Sequence, residues 1–247
     1  MTPAEQLLIA HYSLLIIYCI MVQRILDFLA RLKANNNKTW FDAYRSEWEA
    51  IRKEHQAFAA ELIEAVGEFD PLVRGLRVQD CTYRINRDIR FSPDKSPYKT
   101  WMGIYICPRG KSSGYAGYYF HLEPTAPDDR WQNLLAAGLY MPQGAILKSL
   151  RDEIFDNGAE IAEAIAEAEG FHLYAGESLK RTPQGYPAGS EFDAWLRKKE
   201  FLLEQHPNRE WLSQPDLVRR IAEEFRKTHH LTEILNRAVR YAYEEMM

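Results

Sequence analysis

The chain has 247 residues, 46% hydrophobic and 27% charged, long enough to bury a sizeable core as one large domain or two small ones. Its 31 Lys/Arg and 35 Asp/Glu leave a formal charge of −4, which argues against broad, nonspecific nucleic-acid binding. Three cysteines, Cys19, Cys81 and Cys107, form no C-x-x-C pair and no zinc spacing, so a reducing, cytoplasmic setting is expected over a disulfide framework.

Residues 7–22 carry no Asp, Glu, Lys or Arg and are rich in Leu and Ile. That run is shorter than the roughly 20 residues a bilayer span needs, and it lacks the basic start and small-residue cleavage site of a signal peptide. The expectation is an apolar N-terminal extension over 1–20 that adds a helix, with no membrane partner. A single domain follows over 21–247, and a chain beginning at Met21 is expected to fold.

After the polar break Asn35-Asn36-Asn37, the positions Phe41, Tyr44, Trp48, Ile51, His55, Phe58, Leu62, Ala65 and Phe69 repeat at 3-4-3-4 spacing. This is one helical stripe, with Asn37 placed to cap it and Gly67 and Pro71 to end it. His55 lies within the stripe and reads as a packed histidine. The period then changes to two at about Gln79. Strands are predicted over 81–88, 98–107, 115–123 and 134–141, with Cys81 and Cys107 as small strand hydrophobes and 201–205 as a further strand. Helices return over 143–157 and 159–169, closed by Gly158 and Gly170, and over 215–229 and 231–245. Short connections favour antiparallel neighbours. The fold class is therefore α+β: a central, mainly antiparallel sheet of four or more strands flanked by N- and C-terminal helices, with the 41–69 helix on its apolar side.

From Arg84 to Lys111 the chain holds seven Lys/Arg against two Asp/Glu. Two readings stay open for this basic run. Arg84, Arg87 and Arg90, with Lys95 and Lys99, pin a strand–turn junction through Asp88, Asp94 and backbone carbonyls. Or they hold a phosphate or carboxylate, since guanidinium forks bind oxyanions by paired hydrogen bonds. Lys180 and Arg181 are candidates to join such a patch. Tyr119, His121 and Glu123 fall on one face of a strand whose other face carries Tyr118, Phe120 and Leu122, the layout of a core-backed site for general acid/base chemistry. With His206 added, the set would meet a facial metal triad's ligand count; a Tyr–His–Glu hydrogen-bond chain is the plainer alternative.

The run R-I-N-R-D-I-R-F-S-P-D-K-S-P-Y-K-T (84–100) resembles the hallmark of the domain of unknown function 2461 family of bacteria and fungi. Asn35-Asn36-Asn37 with Trp40-Phe41, the run 113–119, His121-Leu122-Glu123-Pro124, Gly138-Leu139-Tyr140-Met141-Pro142, Leu179-Lys180-Arg181-Thr182-Pro183, Gly185-Tyr186 and His206-Pro207 match in order. The likeness covers about residue 25 to the C-terminus and departs at 126–131, where the family tends to carry a glycine-rich connection. It implies a shared fold and assigns no activity. Motifs for P-loop, Rossmann, G-x-S-x-G and H-E-x-x-H chemistry are missing, and no cofactor is named by any motif. Two functions follow: a cytosolic enzyme or binder of a small anionic ligand, or an interaction or nucleic-acid-associated module that uses an exposed basic turn without catalysis.

Overall fold

The computed structural model describes residues 3–124 and 133–246, the side chains of 3–17 and 19 excepted. Helix α1 (Pro3–Ala34) runs to the Asn-rich break, where the Asn37 side chain accepts from the Trp40 N–H at 3.0 Å and starts α2 (Lys38–Ala43). The single helix expected over 41–69 is interrupted at Tyr44 (φ −109°, ψ 16°), and α3 (Arg45–Gly67) continues beyond it. A 3-10 turn (Pro71–Val73) and the short α4 (Val78–Cys81) lead to strands β1 (Met102–Ile106), β2 (Gly117–Leu122) and β3 (Leu134–Leu139). Then come α5 (Gly144–Glu167), β4 (His172–Leu173), α6 (Asp193–Leu196), β5 (Phe201–Gln205), α7 (Arg209–Leu212), α8 (Leu217–Lys227) and α9 (His229–Glu245). The five strands pair antiparallel throughout, in the order β1-β2-β3-β5-β4, with helices at both ends of the chain.

The alternation of β2 decides how the layers stack. Tyr118, Phe120 and Leu122 are buried toward the helices, where Phe120 lies 5.7 Å from the ring of Phe58 on α3 and Tyr118 5.5 Å from Phe225 on α8. Emptying one such aromatic position costs about 3–5 kcal/mol. The Tyr118 hydroxyl satisfies itself within this core against Asp70 (3.2 Å) and His229 Nδ1 (2.7 Å). On α1, Met21, Val22, Ile25, Phe28 and Leu29 are buried, and so is Tyr18 within the 1–20 segment, edge-on to Phe58 and bonded to Glu61. Among the described residues no helix is long and apolar enough to cross a bilayer.

Two expectations need correction. Residues 81–88 are not a regular strand. Cys81 ends α4, and the segment makes isolated bridges only, Thr82 to Ile104 and Asn86 to Tyr98. Arg87 N–H bonds the Pro97 carbonyl at 2.9 Å, but Pro97 has no N–H to return, so the ladder stops there. The helices expected over 143–157 and 159–169 are one element, kinked at Asn157 (φ −126°, ψ 27°). Gly158 does not close a helix. It lets Phe192 approach, and a Cβ there would sit 2.2 Å from that ring. Cys81 and Cys107 are buried free thiols, and burial pushes them up to about 11 and about 12.

His55 is 4% exposed inside the α3 stripe, and burial pushes its imidazole down to about 4. Between its ordinary value near 6.5 and that value, the unfolded chain takes up a proton that the folded chain refuses. Stability therefore rises with pH through this window and is lost on acidification, by about 3 kcal/mol for this group. Urea denaturation between pH 4 and 7 checks this: the acid loss is expected to shrink by that amount in His55→Leu.

Candidate functional site

The opposite face of the sheet is not covered by the helices. There β1 offers Gly103 and Tyr105, β2 Tyr119 and His121, β3 Leu134, Ala136 and Gly138, and β5 Leu202, as a two-residue period requires. The register sets Gly117 against Gly138 and Tyr119 against Ala136, so the floor is low along Gly117, Gly138 and Ala136. Gly138 is held at φ +136°, and a Cβ there would lie 2.4 Å from the Phe201 carbonyl oxygen, so nothing larger fits. Tyr83, Trp101, Tyr105, Tyr119 and Tyr140 stand around this floor. They enclose a cavity of about 590 Å³, with Lys111, His121 and Glu123 as its charged or ionisable lining.

Along one wall runs a closed hydrogen-bond chain. The Tyr119 hydroxyl lies 2.7 Å from His121 Nδ1, His121 Nε2 lies 3.2 Å from Glu123 Oε2, and the other Glu123 oxygen accepts from Thr100 Oγ1 at 3.3 Å. A carboxylate accepts only, so the ring proton at Nε2 points to Glu123, and Nδ1 meets the tyrosine hydroxyl. His121 is 5% exposed and lies under Trp101, ring centroids 5.3 Å apart. Burial first, then Tyr83, Glu123 and Tyr140, raise the Tyr119 pKa far above the ordinary phenol range, so its hydroxyl stays protonated. Such a chain holds a proton at Tyr119 Oη and offers a second acceptor behind it. The resulting imidazolium would face a carboxylate.

Residues 24–233 match the model for a family described as "Conserved hypothetical protein (DUF2461)". The chain belongs to that family. No curated protein and no solved structure matches it. The departure at 126–131 lies outside the described residues.

In this DUF2461 chain the structure brings Tyr119, His121 and Glu123 together and sends the signature cations elsewhere. Arg87 pairs with Asp94 and reaches Ser92 Oγ (3.3 Å) and the Ser96 carbonyl (3.2 Å). Asp94 is held down to about 2 by the Ser96 hydroxyl and N–H and then by Arg87. Arg90 forks onto Asp88 at 2.9 and 2.6 Å, and Lys95 donates to the Ile89 carbonyl at 3.0 Å. Lys99 donates to the Arg84 carbonyl at 2.7 Å and lies 5.1 Å from the Trp101 ring, behind the cavity wall; burial and then Arg84 and Lys111 lower its pKa. Arg84 is exposed and lines a separate concavity, and Lys180 and Arg181 are exposed and line neither. His206 sits 3.6 Å from Glu204, away from the cavity lining. Among the described residues no cluster of three His, Cys, Asp or Glu is placed to hold a metal.

Lys111, Trp101, Tyr83 and the small residues of the floor escaped the sequence reading as members of one site. Gly103 did too: a Cβ there would meet Tyr119 Oη at 2.7 Å and Cε2 at 2.8 Å, so its bareness is what lets the tyrosine lie against His121. Gly103→Ala is expected to cost about 1–3 kcal/mol by overpacking, with most of that cost absent when Tyr119→Leu removes the ring. A double-mutant cycle by chemical denaturation checks it.

Proposed function

We propose that the chain takes up a small planar organic acid or phosphate in the aromatic cavity and removes a proton from it through Tyr119 and His121. The observation that supports this most is the Tyr119–His121–Glu123 chain set into the wall of the cavity. The volume lies in the range of small-molecule sites, and several aromatic rings with few polar groups suit a flat ligand. Lys111 lines the same space, donating to the Gln79 carbonyl at 2.6 Å, and is the cation that meets the ligand's anionic group. The ligand's proton passes to Tyr119 Oη as the tyrosine's own proton passes to His121 Nδ1. Glu123 stabilises the imidazolium so formed. The buried free thiols of Cys81 and Cys107 fit the cytoplasmic setting that this reading assumes.

The second reading, a partner-binding module, draws on the turn itself. Phe91 is 93% exposed at that turn, with the Arg90 guanidinium 5.9 Å from its ring centroid. Small anionic ligands against nucleic acid or protein partners separate the two readings.

A thermal-shift screen of planar carboxylates and phosphates tests the first. Ligands are expected to raise the melting temperature saturably. Lys111→Ala is expected to weaken binding about 10- to 150-fold, the equivalent of a charged hydrogen bond. Tyr119→Phe is expected to abolish turnover or solvent exchange of the ligand's proton, with binding reduced far less. Binding indifferent to both substitutions would overturn the proposal.

A further inference from the structure

A second concavity, about 230 Å³, lies on the other side of Tyr83, between the start of α3 and residues 84–98. Its lining includes three arginines, Arg45, Arg52 and Arg84, with Glu49 as the one carboxylate and Asn86 beside them. Arg45 and Arg52 are seven residues apart on one helix, which puts them on the same face two turns apart. Arg84 arrives from a distant part of the chain, and its approach is fixed. Asn36 imitates a strand partner for Tyr98, donating to its carbonyl at 2.9 Å and accepting from its N–H at 3.1 Å. The Tyr98 ring stacks on Phe41 at 4.0 Å, and Asn86, two residues from Arg84, bridges to Tyr98. Ile85 is buried next to Arg84 and anchors it further.

The charges do not balance within the lining of this cleft. Arg87 and Arg90 are spent on Asp94 and Asp88, and Arg45 pairs with Asp42. Among the described residues Arg52 and Arg84 have no ion-pair partner. The cleft lining holds three guanidinium side chains against one carboxylate, and an oxyanion there would gain paired, charge-assisted hydrogen bonds. We propose that Arg52 and Arg84, assisted by Arg45 and Asn86, bind the dianionic phosphoryl group of a small molecule. The cleft, at about 230 Å³, has room for a phosphoryl group and part of a small molecule that carries it. A carboxylate offers two oxygens in one plane, whereas a phosphoryl group offers three, enough for forks from two sides.

The site is separate from the cavity around His121, because only Tyr83 lines both. The test is a titration of the full chain with inorganic phosphate and with glycerol 3-phosphate, against sodium chloride at equal ionic strength, read by calorimetry and thermal shift. Saturable binding and stabilisation beyond the chloride control are expected for the phosphate compounds. A stronger response to glycerol 3-phosphate identifies an esterified phosphoryl group as the natural occupant, and an equal response identifies free phosphate. Arg84→Gln and Arg52→Gln are each expected to weaken binding at least tenfold. Without phosphate their melting temperatures should stay close to that of the parent, since neither arginine has an ion-pair partner to lose among the described residues. Lys111→Ala, which removes the cation of the other cavity, should leave this phosphate binding unchanged, which separates this site from the proposed proton-transfer cavity. A response no greater than that to chloride, or one that survives the Arg52→Gln/Arg84→Gln double variant, would overturn the inference.

Discussion

Strand β2 serves two environments with one backbone. Tyr118, Phe120 and Leu122 point into the helical core, and this burial holds the strand in a single register. A slip of one residue would put Tyr119 and His121 into that core, so the apolar face fixes where the polar face must be. Tyr119, His121 and Glu123 are then delivered to the far side of the sheet at two-residue intervals, close enough to hydrogen-bond in series. The core, in this sense, builds the candidate site.

Space on that far side comes from what the neighbouring strands leave out. Gly103 yields to the Tyr119 ring, while Ala136 and Gly138 keep the floor low. Aromatic residues then rise around a shallow base, and the cavity forms above the sheet instead of between sheet and helices. The hydroxyl of Tyr105 illustrates how tightly this wall is set, bonded to the carbonyls of Tyr115 (2.8 Å) and Gly138 (3.3 Å). Bonded hydroxyls on Tyr105 and Tyr119 hold the part of the wall nearest the sheet, which favours a preformed site over one assembled by its ligand.

Much of this was legible in the sequence where a period was long or a cap chemically explicit. The α3 stripe, the Asn37 cap, the faces of β2 and the strand at 201–205 all follow from spacing and side-chain chemistry. Residues 81–88 did not, because alternation reports which side chains are buried and not whether a neighbour can return hydrogen bonds. Pro97 cannot. The arginines show a second limit. Sequence reveals that cations cluster, but pairing depends on where the turn places Asp88 and Asp94, which occupy Arg90 and Arg87 and leave Arg84 to face elsewhere. Gly103 and Ala136 carry no chemical signal at all. Their importance is a matter of which ring lies over them, and that depends on a register set by residues far along the chain.

The central claim is that His121 is an oriented imidazole held between a tyrosine and a carboxylate. Nitrogen-15 NMR of the imidazole measures this directly. One fixed tautomer is expected, protonated at Nε2 and accepting at Nδ1, with a ring proton protected from exchange and a Nδ1 shift that changes in Tyr119→Phe. A His121 ring that samples both tautomers, exchanges like free imidazole and ignores the Tyr119 substitution would contradict the account.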